Sequence, residues 1–164
     1  MKKICFAILV LFALSADAKT LKVGETAYDM LGTSLGGTEI KLSDYKGKII
    51  ILSFWATWCN ECRKEIPALY AIQNKSNPEK LQVIAINAGE KRALVEKFLS
   101  DYPVSKIIFT LDPGITGWNY KVNAIPTIYV VDTEGKISYV KVGYKFSDVQ
   151  KLVDHVNSLS GAKQ

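Results

Sequence analysis

Along the chain, short and nearly unbroken apolar runs alternate with segments whose apolar residues recur at helical spacing. Residues 48–55 (KIIILSFW) are apolar at almost every position, as in a strand covered on both faces. Residues 81–87 (LQVIAIN) and 107–111 form two more such strands. Between them the period lengthens: Cys62, Ile66, Leu69 and Ile72 mark one face of a helix over 60–75, with Pro67 as an internal kink point, and Leu94, Val95, Phe98 and Leu99 mark another over 91–100. A short helix or turn through Trp118 follows. Residues 127–131 and 136–142 then form an antiparallel pair, because Asp132-Thr133-Glu134-Gly135 is a short loop ending in glycine, suited to a bulged hairpin. Ser147 with Gln150 three residues on has the capping-box pattern and opens a last helix, whose face carries Val149, Leu152, Val153, Val156 and Leu159. Residues 20–48, with Gly24, Gly32, Gly36 and Gly37, fit an N-terminal hairpin with irregular connections that caps the core. Strands interleaved with helices predict an α/β domain.

The first residues stand outside this pattern. Lys2 and Lys3 precede the apolar run from Ile4 to Leu14, and Ala16-Asp17-Ala18 offers small residues where a signal peptidase reads. Residues 1–18 are therefore expected to be a secretory signal peptide cleaved near Ala18, and 19–164 the folded domain. Eleven apolar residues fall well short of the roughly 20 needed to span a bilayer, so no stable membrane insertion is expected after cleavage. The mature protein is expected in the periplasm or an equivalent exported compartment.

With 164 residues, of which 48% are hydrophobic, the chain is long enough for one core and no second. The formal charge of +5 is mild and scattered, which gives nucleic-acid binding no support beyond bulk charge. Cys5 lies in the leader's apolar run and reads as a small hydrophobe, so Cys59 and Cys62 remain as a pair.

Zinc would need four ligands, and the mature chain offers two cysteines and the single His155. Covalent haem attachment needs a histidine after the second cysteine, where Arg63 stands. Neither a metal nor a cofactor is called for. His155, off the apolar face of the last helix, reads as a solvated surface imidazole. A permanent disulfide remains open, yet so short a loop restrains little of the unfolded chain. The redox reading draws on position: the pair falls where a strand hands over to a helix, and the helix N-terminus stabilises the Cys59 thiolate that attacks disulfides. Cys62, one turn in, is placed to resolve the mixed disulfide.

The stretch FWATWCNEC, 54–62, and the segment VNAIPTIYVVDTEGKI, 122–137, together resemble thioredoxin-fold thiol:disulfide oxidoreductases of the TlpA/ResA/DsbE type. The resemblance runs from about residue 23 to 144. It implies a thioredoxin-like α/β fold, a central mixed sheet flanked by helices with an N-terminal β-hairpin extension and a helix-strand insertion. It also implies a Cys59–Cys62 disulfide in the oxidised form, Cys59 as nucleophile, Cys62 as resolver, and a cis Ile125–Pro126 peptide facing them. Glu65 falls where the subfamily has an acid near the thiols, for proton exchange with Cys62. Glu61 and Glu90 are secondary candidates. Trp55, Trp58, Ile125 and Pro126 would contact the substrate. Ser53 stands where thioredoxins carry a buried aspartate, which moves proton handling to Glu65. The resemblance implies a reductase of protein disulfides outside the cytoplasm, fed by a membrane thiol-disulfide electron donor, with cytochrome c maturation as the process. A disulfide-forming oxidase or isomerase would use the same site, and a redox-inert binding module the same fold. The Pro-x-x-x-Thr-x-x-Cys pattern of peroxiredoxins is absent, Ala56 standing three residues before Cys59.

Overall fold

A computed structural model describes residues 20–103 and 106–161; the expected signal peptide, with Cys5 and the cleavage position, lies outside the described residues. In chain order the elements are strands β1 (Met30–Ser34) and β2 (Glu39–Lys41), a 3-10 turn (Leu42–Tyr45), β3 (Ile49–Trp55), α1 (Asn60–Lys75), β4 (Leu81–Ala88), α2 (Arg92–Leu99), β5 (Ile108–Asp112), α3 (Ile115–Asn119), β6 (Thr127–Val131), β7 (Ile137–Val142) and α4 (Phe146–Leu159). They form a thioredoxin-like α/β fold around one sheet in the order β2-β1-β5-β4-β3-β6-β7.

The centre is parallel, β3 beside β4 and β4 beside β5, whereas β6 joins β3 antiparallel and β7 closes the edge as a hairpin. Period-two alternation sorts the unbroken apolar runs into two cores. Ile49, Ile51, Trp55, Val83 and Ala85 face α1, α2 and α4, through Ile66, Leu69, Val95, Leu152 and Val156. Ile50, Leu52, Phe54, Ile84 and Ile86 face the opposite side, where Leu31, Tyr120 and Tyr129 cover them. Every residue of β3 is buried, which is why its sequence shows no polar stripe.

Three expectations are corrected. The N-terminal hairpin does not cap the core: β1 pairs antiparallel with both β2 and β5, so it widens the sheet. Gly32 permits this, since its φ is +92° and a Cβ there would lie 2.7 Å from the Leu111 carbonyl oxygen. The capping box at Ser147 does not form. Helix α4 begins at Phe146 with Lys145 as an N-cap that makes no side-chain bond, and Gln150 donates to Asp154 instead. The β6–β7 turn does follow the residue pattern: Gly135 has φ +80°, Asp132 N–H donates to the Lys136 carbonyl, and the register shifts between Val130 and Val131. His155 is half-buried rather than fully solvated, its ring tilted against Tyr139 and within 3.0 Å of Ser138 Oγ.

Candidate active site

Because β3, β4 and β5 are parallel, their C-terminal ends share one edge of the sheet, the edge where α/β proteins build sites. Antiparallel β6 starts there, with Thr127 paired to Phe54. Pro126 therefore arrives beside the end of the strand that feeds the cysteines, although it lies 64 positions after Cys62. The Ile125–Pro126 peptide is cis.

A turn closed by Cys59 N–H donating to the Ala56 carbonyl leads into α1. Cys59 is the N-cap, in extended conformation, and its sulfur accepts from Cys62 N–H at 3.2 Å. The two cysteines are bonded to each other, with Cα atoms 5.2 Å apart. Their exposure differs: Cys59 is 8% exposed and Cys62 is fully enclosed. An incoming sulfur can reach only Cys59, and the amides and dipole of α1 favour a thiolate there.

Glu65 lies one turn beyond Cys62 on α1, at a spacing that puts the two side chains on neighbouring positions. It is 3% exposed. Burial raises its carboxyl to about 7, against a smaller opposing effect of the Ser53 hydroxyl, which donates to Oε1 at 2.6 Å. Ser53 reaches it because odd-numbered residues of β3 face α1. Beyond Glu65 lies a cavity of about 20 Å³ between α1, β7 and α4, bordered by Tyr144 and Lys141, room for one water.

Glu90 braces the turn that leads into the cysteines. Its carboxylate accepts from Thr57 N–H at 2.7 Å and Asn87 Nδ2 at 2.7 Å, and from the Thr57 hydroxyl. Glu90 N–H in turn donates to Asn87 Oδ1. Burial would raise this carboxyl, but the bonds from Thr57 and Asn87 outweigh it and hold it below its ordinary value. Thr57 and buried Asn87 were not legible as site residues, since each joins the site only through this clasp. Glu61 is exposed and paired with Lys64 at 2.8 Å.

Of the residues expected to contact substrate, Trp58 is 69% exposed, while Trp55 is 1% exposed. Trp55 is thus corrected from contact residue to core residue: at the parity of Ile51 and Ser53 it turns under α1 and packs on Phe98 and Phe109. Ile125 and Trp58 border one open groove of about 640 Å³ beside the cysteines.

The fold and the dithiol site define a class, thioredoxin-fold oxidoreductases, and the chain belongs within it to the AhpC/TSA family, whose model matches residues 23–140. Among its relatives, a thiol-disulfide oxidoreductase ResA of Bacillus cereus is 35% identical over 124 residues, covering 74% of this chain and 70% of the relative. ResA of Bacillus subtilis is 30% identical over 132 residues, 80% of this chain and 73% of its own. A solved Chlorobium tepidum structure described as a thiol:disulfide interchange protein DsbE superimposes with a TM-score of 0.79 at 32% identity, covering 85% of this chain and 99% of that one. The protein is a thiol:disulfide oxidoreductase of the ResA/DsbE type with a Cys59–Cys62 pair, which leaves the redox-inert module without support.

Proposed function

We propose that the protein is an exported reductase of protein disulfides, with Glu65 as the proton acceptor and donor of Cys62. The observation that carries this reading is the buried Glu65 carboxyl, held by Ser53 and titrating near 7 one turn from the resolving cysteine. A general acid-base group is most effective when it titrates near the working pH.

In the reduced enzyme the Cys59 thiolate attacks one sulfur of the substrate disulfide. A Cys59–substrate disulfide forms, and the other substrate sulfur leaves as a thiolate that takes up a proton. Cys62 then passes its proton to Glu65 and attacks Cys59 Sγ. The internal disulfide forms, the second substrate sulfur is released and takes up a proton, and two electrons have passed from enzyme to substrate. A membrane thiol-disulfide donor restores the dithiol. Trp58 and Ile125 seat the substrate chain, buried Pro126 holds the Ile125 backbone in place behind them, and that backbone, which takes part in none of the described loop and turn hydrogen bonds, offers it strand-like pairing.

The direction follows from charge. An oxidant owes its high potential to a stabilised reduced form, and a carboxylate near the sulfurs disfavours the thiolate. Lys64 offsets the charge of Glu61, so Glu65 carries this effect in its ionised form, which prevails above about 7. Export rests on the N-terminal pattern of residues 1–18; no described helix is long and apolar enough to cross a membrane. Apocytochrome cysteines awaiting haem are the substrate that fits an exported reductase of this type.

Two measurements test the reading. The Cys62→Ser protein, expressed in the exporting cell, is expected to accumulate mixed disulfides on Cys59. The wild-type reduction potential is expected near the thioredoxin value of about −270 mV. A folded Cys62→Ser protein that traps nothing, or a potential near the roughly −120 mV of a strong oxidant, would overturn it.

A further inference from the structure

The groove that holds Trp58 and Ile125 continues well past the cysteines. It runs along the C-terminal edge of the sheet, over Gly89 after β4 and Gly117 in α3, to Trp118. At about 640 Å³ it falls within the roughly 300–1,000 Å³ range of sites that bury most of a small ligand, more than a single cysteine side chain requires. Trp118 is 84% exposed and Trp58 is 69% exposed, so two indoles from distant parts of the chain stand in solvent at the borders of one groove. The charged group in its lining is Asp112, and its oxygens are already engaged by Thr116 N–H at 2.9 Å and Gly117 N–H at 2.7 Å. A groove with apolar borders and its carboxylate taken up by backbone amides suits an uncharged occupant.

Continuity with the redox site says which occupant. Disulfide exchange brings a partner sulfur to Cys59, and Trp58 is the residue next to it, so whatever carries that sulfur enters at this end of the groove. Resting on the reductase reading above, we propose that the groove is a specificity site for a polypeptide substrate, in which an aromatic or large aliphatic side chain near the attacked cysteine seats between Trp58 and Trp118. Gly89 and Gly117 lie in the lining between the two indoles and carry no side chain. Trp118 in this reading selects substrates.

The test uses the pre-reduced full domain and two synthetic disulfide peptides, identical except for Phe or Ser two residues from the attacked cysteine, with oxidised glutathione as a third substrate. Single-turnover rate constants are read by quenched-flow alkylation. Wild type is expected to prefer the Phe peptide by about tenfold, the discrimination typical of a small apolar difference in a hydrophobic site. Trp118→Ala is expected to abolish the preference without changing the rates on the Ser peptide or glutathione, and Trp118→Phe to restore most of it. Because Trp118 is exposed, neither substitution removes core packing. Equal wild-type rates on the two peptides, or a Trp118→Ala protein that slows all three substrates alike, would overturn the proposal while leaving the reductase reading intact. A wild-type dimer that dissociates in Trp118→Ala would assign the groove to a second copy and also overturn it. Failure of the wild type to reduce any of the three would bring down the reductase reading and this inference with it.

Discussion

Glu65 shows how one buried residue couples chemistry to stability. Its carboxyl titrates near 7 in the folded protein against an ordinary 4.5, so between those values the folded protein keeps a proton that the unfolded chain has released. The stability associated with Glu65 is therefore full below about 4.5, falls as the pH rises, and is lost above about 7. The size of that loss is on the order of 3 kcal/mol. Urea unfolding of the oxidised protein between about pH 4 and 8 is expected to show it in the wild type and not in Glu65→Gln; parallel profiles would mean that the burial of this carboxyl is not the cause. The same substitution should slow resolution of the mixed disulfide by about 100-fold. The position of Glu65 was readable only through the family resemblance, which places an acid three residues after Cys62. Its partner was not, because Ser53 looked only like a missing aspartate until β3 was laid against α1.

At the scale of elements, the docking of β1 on β5 depends on Gly32. Its φ of +92° and the 2.7 Å approach of the Leu111 carbonyl leave no room for a side chain, whereas Gly37, with a similar φ, has open space around its missing Cβ. Gly32→Ala is expected to cost more than Gly37→Ala, with a difference of about 1–3 kcal/mol in denaturant unfolding. Equal costs would show that the close approach is not what Gly32 is for. The strands and α1 were legible because length and period agree with their burial. The role of the N-terminal hairpin was not: its residues carry turn signals and little apolar pattern, and an edge strand is decided by what it pairs with. The capping box at Ser147 failed for a related reason, since the backbone turns into α4 one residue before the serine.

For the whole molecule, β3 and β4 each pair on both sides and lie between two cores, while β2 is a three-residue edge strand with no buried residue. Hydrogen exchange should accordingly be slowest in Ile49–Trp55 and Leu81–Ala88 and fast in Glu39–Lys41; protection of β2 equal to that of β3 would contradict this ordering. The active-site edge joins that centre to the turn held by Glu90, the loop before β6, and short helix α3. Catalysis draws on the first, which fixes the sulfurs, and substrate choice on the last.

The sequence by itself determined that this chain is an α/β domain with a dithiol at a strand-to-helix junction, because hydrophobic period and cysteine spacing are local properties. Only the tertiary structure decided which side of the sheet each residue serves. A one-residue step along β3 sends Ser53 to Glu65 and Phe54 to the opposite core, and the same parity buries Trp55 while the following turn leaves Trp58 in solvent. The pairing of Thr127 with Phe54 brings Pro126 beside the end of the strand that feeds the cysteines, and the ends of β4 and β5 bring Glu90 and Trp118 to the same edge. Those encounters depend on strand register and chain reversal, which no local pattern encodes.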